Sequence, residues 1–139
     1  MRRQKGRRWV LQILYAWEIR EHDEDLMDVA AAFFDRRQVA DETRRFAEQI
    51  LTAIADNDRR LDGQIDASAE HWDVERLAIV DRNILRMALA EFQYLDGIPF
   101  KVTIDQAIRL AQRYGGAESP RFVNGLLDAV ARKLDLIPS

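Results

Sequence analysis

The stretch VERLAIVDRNILRMALAEFQYL, residues 74–95, decides the fold class of this chain. Its apolar residues recur at steps of 3, 4, 4, 4 and 3, at Leu77, Val80, Ile84, Ala88, Phe92 and Leu95. Steps of three and four place side chains on one face of an α-helix. Gly97 ends the pattern, and Pro99 prevents the helix from resuming at once. The stretch therefore predicts the longest helix of the chain, with Asp73 as its N-cap.

The helical period continues outward from this stretch in both directions. Further helices are predicted at about 10–17, 26–33, 43–56, 61–65, 104–114 and 119–134, and the basic residues before Val10 form either the opening turns of the first helix or a flexible lead-in. Asp23 or Asp25 can cap the second of the predicted helices, and Thr103 the one that begins at 104. The segment FKVTI, 100–104, is the nearest candidate for a strand, but it is too short to build a sheet. We predict an all-α fold, a compact single domain of six to seven helices with antiparallel neighbours.

Composition excludes several classes of protein. The length of 139 residues suits one domain, and no apolar run approaches the roughly 20 residues of a membrane span. The chain has no cysteine, which excludes disulfides and thiolate zinc sites and fits a cytoplasmic location. His22 and His71 lie apart in polar surroundings, and neither a P-loop nor a nucleophile elbow is present. We therefore expect no catalytic residue, no metal and no cofactor, and hence no enzyme.

Charge is distributed unevenly along the chain. The first eight residues contain no acid and five basic residues, namely Arg2, Arg3, Lys5, Arg7 and Arg8. The rest of the chain carries 16 basic and 24 acidic residues, a net charge of −8, against −3 for the whole. A basic arm on an acidic body suggests contact with a polyanion. A solvated, partly frayed terminus is the alternative, and the charge pattern leaves both open.

The segment SPRFVNG, residues 119–125, reads as a helix start at Ser119 with Pro120 at its first helical position. At about 100° per residue, Phe122 lies about 95° from the apolar stripe, and Arg121 lies well outside it. The first turn of a helix offers backbone N–H groups to an anion, an arginine can pair with phosphate, and phenylalanine can stack on a base. Burial of Phe122 against a neighbouring helix is the alternative.

Three other side chains and one pair bear on packing. Trp17 lies on the apolar stripe of its helix and should be buried, whereas Trp9 lies off the stripe and suits either stacking or burial. Arg86 and Glu91 predict a polar link between helices. Asp81 is either solvated or part of a protein-binding face.

Four motifs stand in the order found in one known family. They are LQILYAWE (11–18), VDRNILRMALAEF (80–92), IPFKVTIDQAIRLAQRYG (98–115) and SPRFVNGLLDAV (119–130). Over essentially its whole length the chain resembles the NusB family of bacterial transcription antitermination factors. The resemblance implies two small helical bundles, forming a single RNA-binding domain over 1–139 with a basic arm at 1–8. It implies binding to boxA, a single-stranded RNA element of ribosomal RNA operon leaders, jointly with the ribosomal protein NusE. With other Nus factors, the complex would then help RNA polymerase resist termination.

The resemblance also implies roles for particular residues. The arm would bind RNA through Arg2, Arg3, Lys5, Arg7 and Arg8. A second RNA patch would consist of Glu118, Ser119, Arg121 and Phe122, and Asp81 would lie on the face that meets NusE. Some relatives have an aromatic residue where this chain has DASAEHWD (66–73), so no stacking role passes to Ala69. The competing hypothesis is a helical protein-interaction module without direct RNA readout, and apolar helix faces leave a homodimer open.

Overall fold

The computed structural model describes residues 2–69 and 77–135, which form six α-helices and contain no strand. In chain order these are α1 (Arg2–Ile19), α2 (Leu26–Asp35), α3 (Asp41–Ala69), α4 (Ile79–Tyr94), α5 (Phe100–Tyr114) and α6 (Ser119–Lys133). The predicted all-α fold is confirmed, and the segment 100–104 opens α5 instead of forming a strand. Within the described ranges, no helix is both long enough and apolar enough to cross a membrane.

The helices form two groups that meet at α4. α1, α2 and α3 pack on one another, and α4, α5 and α6 form the second group. α4 also packs against α1 and α3, so it has neighbours from both groups. Every residue from 83 to 91 is buried for that reason. A helix buried all round, not only along one stripe, is what the centre of a helical domain requires.

Three predicted helix limits are wrong, and each has a physical reason. The third and fourth predicted helices join as α3, which has 29 residues and a kink at Asn57, so α4 with 16 is not the longest. α4 begins only at Ile79; Leu77 packs on the core from outside the helix, because burial does not require helical backbone. α5 begins at Phe100, directly after Pro99, and Thr103 lies inside it. Asp73 lies outside the described residues.

Besides Thr103, two predicted caps lie on described residues, and the structure gives them different outcomes. The carboxylate of Asp25 accepts a hydrogen bond from the Met27 N–H at 2.8 Å, which confirms it as the N-cap of α2. Ser119 is the first residue of α6 and not its cap. The capping position is occupied by Glu118, which makes no side-chain capping bond.

Arg86 and Glu91 make two separate polar links from α4, because residues five apart on a helix point about 140° apart. Arg86 is buried and bonds Asp62 of α3 at 2.8 Å, and it also bonds Glu18 of α1. Burial lowers the pKa of Arg86, but the hydrogen bonds and charges of Asp62 and Glu18 outweigh it and raise that pKa above its ordinary value. Glu91 accepts hydrogen bonds from side chains of α1 and α5.

Candidate nucleic-acid interface

The basic arm is the opening of α1, and helical geometry divides its side chains among three directions. Arg2 and Arg3 lie toward α3, where Arg2 pairs with Glu42 and the Arg3 guanidinium stands 5.2 Å from the ring centre of Phe46. Close approach of the two helices is possible because residue 6 is glycine. A Cβ on Gly6 would lie 3.2 Å from the Phe46 ring. The arm is thus held against the domain along its first turns.

Arg7 points into the interior. Its guanidinium donates two hydrogen bonds to the Glu91 carboxylate, at 2.8 and 2.7 Å, and the Arg7 side chain is only 4% exposed. The hydroxyl of Thr103 donates to the same carboxylate at 3.0 Å. These bonds connect α1, α4 and α5. Arg7 therefore does not present its charge at the surface, unlike the other basic residues of the arm.

Lys5 and Arg8 face the carboxyl end of α5. They line a cleft of about 230 Å³ together with Trp9, Gln12, Arg113 and Tyr114. Sequence reasoning missed Arg113 and Tyr114, because a basic residue in the last turn of a helix is already explained by the helix dipole. Only the packing of α1 near the end of α5 brings them to the arm.

Both tryptophans of α1 pack within the domain, though to different degrees. Trp17 is buried as predicted. Trp9 is half-buried, with its ring 5.6 Å from that of Phe33 in an edge-to-face contact. Its indole N–H is buried. Packing thus accounts for most of Trp9, and one part of its ring lines the cleft.

A tight turn joins α5 to α6. The Ser119 hydroxyl accepts a hydrogen bond from the Gly116 N–H at 3.0 Å, and the Ser119 N–H donates to the Gly116 carbonyl at 3.1 Å. Ser119 itself is buried. Its hydroxyl is therefore used inside the turn, where it fixes the start of α6 relative to the end of α5.

Gly115 makes this turn possible, and its replacement gives a first testable prediction. An added Cβ would lie 2.6 Å from the Cβ of Ser119 and 2.8 Å from the Ala111 carbonyl oxygen. We expect Gly115→Ala to lower the free energy of unfolding by roughly 1–3 kcal/mol, as overpacking does. Gly116→Ala is the matched control, since its Cβ would meet nothing nearer than 3.9 Å. Urea unfolding of both variants checks this; equal stabilities would contradict it.

At the start of α6, side chains are more available to an anion than backbone N–H groups are. Pro120 has no N–H, and the Phe122 N–H donates to the Glu118 carbonyl at 3.0 Å. Most donors of this turn are thus used, and the acidic side chain of Glu118 stands at the cap. Arg121 is exposed, whereas Phe122 is half-buried and packs against the core. An anion would therefore be met here mainly by the arginine side chain.

Asp81 lies in the first turn of α4 and is half-buried. Its Oδ1 is buried and has no hydrogen-bond partner among residues 2–69 and 77–135, and the neighbouring Ile79 is 45% exposed. An apolar side chain beside an unsatisfied acceptor suits contact with a protein more than contact with water. Among residues 2–69 and 77–135, no three histidine, aspartate or glutamate side chains stand close enough to hold a metal ion.

Comparison with known proteins identifies relatives over nearly the full length. The model of a family described as the NusB family matches residues 4–132. Two relatives are each called transcription antitermination protein NusB. The one from Chloroherpeton thalassium is 39% identical over 128 residues, 91% of this chain but 60% of the relative's own length. The one from Koribacter versatilis is 37% identical over 133 residues, 96% of this chain and 90% of the relative.

Solved structures agree with the fold. T. maritima NusB is 35% identical, with a TM-score of 0.84 over 94% of this chain and 91% of that one. A structure of the antitermination factors NusB and NusE in complex with double-stranded RNA matches with a TM-score of 0.83, over 95% of this chain and 97% of that one. Its identity is 21%, so this second likeness shows the fold alone.

Proposed function

The chain belongs to the NusB family, and from that membership we propose that it binds boxA-type single-stranded RNA jointly with NusE and thereby supports transcription antitermination. One observation supports RNA binding above all. Lys5, Arg8 and Arg121 form no ion pair with the acidic residues in the described part of the chain, although the chain as a whole is acidic. Cations left unpaired on an acidic protein suit a polyanion.

The proposed RNA-binding residues differ in what each contributes. Arg2, Arg3, Lys5 and Arg8 supply the positive charge of the arm, and Arg121 supplies a phosphate contact at the start of α6. Phe122 offers the exposed part of its ring to a base while the rest packs. Glu118, an exposed acid, would accept a hydrogen bond from a base amino group and not from phosphate. Ser119 positions these neighbours through the turn.

NusE is the proposed protein partner, by membership of the NusB family, and a protein of the same fold has been solved in complex with NusE and double-stranded RNA. The start of α4 is the proposed docking face. A donor from NusE would satisfy the buried Oδ1 of Asp81, while Ile79 would lose its contact with water. Residues 1–139 would act as one RNA-binding domain that joins other Nus factors on RNA polymerase. The proposal assigns no catalytic step, metal or cofactor.

The experiment that tests this proposal measures binding of a boxA-like and a scrambled RNA oligomer, with and without NusE, at two salt concentrations. We expect preference for the boxA-like oligomer, tighter binding with NusE, and weaker binding at the higher salt concentration. Equal binding of both oligomers would overturn the boxA assignment. NusE binding without any RNA binding would favour the helical protein-interaction module.

The variant Arg121→Gln with Phe122→Leu tests the α6 patch. Phe122 is changed to leucine and not to alanine, because it packs against the core and a truncation to alanine would leave a cavity. We expect RNA affinity to fall about tenfold to thirtyfold through the lost phosphate and stacking contacts. The free energy of unfolding should change by less than about 1.5 kcal/mol. Unchanged RNA affinity together with a large loss of stability would show that both residues serve packing only.

A further inference from the structure

The cleft between α1 and α5 contains residues to which the family resemblance gave no role. We propose that this cleft is a subsite for one nucleotide of single-stranded RNA, in which Arg113 contacts a phosphate and Tyr114 faces a base. The inference rests on the proposed RNA-binding function, which it extends to α5. Four observations carry it, namely the shape of the cleft, its charge, its rings and its place beside the turn.

The shape and charge of the cleft favour an anion. Lys5, Arg8 and Arg113 line one space of about 230 Å³, and no acidic residue in the described part of the chain lines it. None of the three forms an ion pair within residues 2–69 and 77–135. Three like charges around one cleft repel one another, and a bound phosphate would offset that repulsion.

Arg109, on the same helix as Arg113, differs from Arg113 because it has a carboxylate partner. It lies one turn before Arg113 and is exposed, but its guanidinium pairs with Asp105 at 3.1 Å. That pair is the ordinary i,i+4 arrangement of a solvated helix surface. Arg113 has no such carboxylate; its guanidinium instead stands 5.3 Å from the ring centre of Tyr114. A guanidinium beside a ring keeps its N–H groups available for phosphate oxygens.

The rings of the cleft suit a base. Tyr114 and Trp9 are both half-buried and line the same space as the three cations. The contact of Trp9 with Phe33 holds it as a fixed wall. Proteins that bind single-stranded RNA combine such rings with a cationic path for the backbone, because any base can stack on a ring.

The place of the cleft connects the two proposed RNA patches. It shares Lys5 and Arg8 with the arm, and Tyr114 directly precedes Gly115 in the tight turn that leads to Arg121. Because the Ser119 hydroxyl holds that turn, the end of α5 and the start of α6 keep a fixed relation. A strand of RNA that contacts both the arm and the start of α6 would therefore pass the end of α5.

Arg113→Gln tests the phosphate contact, with Arg109→Gln as the matched control of equal charge change on the same helix. Binding of the boxA-like oligomer would be measured without NusE over a range of salt concentrations. For Arg113→Gln we expect affinity to fall about threefold to tenfold, and the slope of log affinity against log salt to shrink by about 0.7, one phosphate of a single strand. For Arg109→Gln we expect no change of slope. Because both side chains are exposed, neither substitution should change the temperature of thermal unfolding.

Tyr114→Leu and Tyr114→Phe test the ring. We expect the leucine variant to bind RNA about tenfold more weakly and the phenylalanine variant to bind like the wild type, because only the ring face is needed. If leucine lowers stability, the phenylalanine variant and Arg113→Gln still decide the matter.

The outcomes separate the subsite from the proposed function. If Arg113→Gln behaves like Arg109→Gln while the Arg121 and Phe122 variant loses affinity, the subsite is overturned and RNA binding stands. If Arg113→Gln weakens NusE binding but not RNA binding, the cleft is a protein contact and the subsite is again overturned. A wild-type protein that binds neither oligomer overturns both proposals.

Discussion

Replacing Glu91 with alanine is expected to lower the free energy of unfolding by about 3–5 kcal/mol, the largest stability effect that we predict. The reason is the charge that remains. The Arg7 guanidinium would stay buried without an anion, and the Thr103 hydroxyl would lose its acceptor. An uncompensated buried charge costs far more than the pair contributes. Urea unfolding followed by circular dichroism measures the loss.

Two controls decide whether the buried charge is the cause. In the double variant Arg7→Met with Glu91→Leu, neither charge remains, and we expect most of the stability to return. Asp105→Ala breaks the exposed pair with Arg109 on α5 and should cost no more than about 1 kcal/mol. A double variant as unstable as Glu91→Ala would show that lost packing, and not charge, explains the result.

Neutralising the surface charges of the arm is expected to produce the largest loss of RNA affinity. The variant changes Arg2, Arg3, Lys5 and Arg8 to glutamine and retains Arg7. If each contacts one phosphate of a single strand, affinity at about 0.1 M salt should fall roughly a hundredfold or more, and the salt slope should shrink by up to about 3. Titration of the boxA-like oligomer over a salt series measures both quantities.

Retaining Arg7 is what makes this experiment interpretable. Deleting residues 1–8 would also remove the partner of the buried Glu91, so loss of folding and loss of binding would be inseparable. The four replaced side chains are not buried, and the unfolding transition of the variant should stay close to that of the wild type. Unchanged RNA affinity would show that the charges of the arm are merely solvated, which is the alternative that the charge pattern allowed.

Much of the fold was predictable because apolar periodicity reports which residues are buried. The steps of three and four in 74–95 predicted a helix, and α4, which lies within that stretch, proved to be the centre of the domain. Periodicity does not report whether the backbone is continuous. It therefore missed that α3 passes through Asn57 as one kinked helix, and it extended α4 back to include Leu77.

The RNA-contacting roles themselves remain predictions, but the structure changes which residues can take them. The family resemblance implied an RNA contact for Ser119, yet its hydroxyl is used inside the turn. Phe122 was placed on the flank of its helix by angle alone, and it lies half-buried there. Local geometry could anticipate the second result, since a helical wheel needs only the sequence. Local geometry could not anticipate the hydrogen bond of the Ser119 hydroxyl, since that bond depends on how the chain enters α6.

By itself the sequence determined the helical class, the family and the presence of a basic arm, since these depend on patterns within a segment. Tertiary structure alone decided what each arm residue contacts. Arg7 and Arg8 are adjacent and identical, yet Arg7 is buried against Glu91, 84 positions away, and Arg8 lines a cleft with Arg113. The two side chains leave the helix about 100° apart, and only the packing of α1 against α4 and near α5 determines what each direction meets.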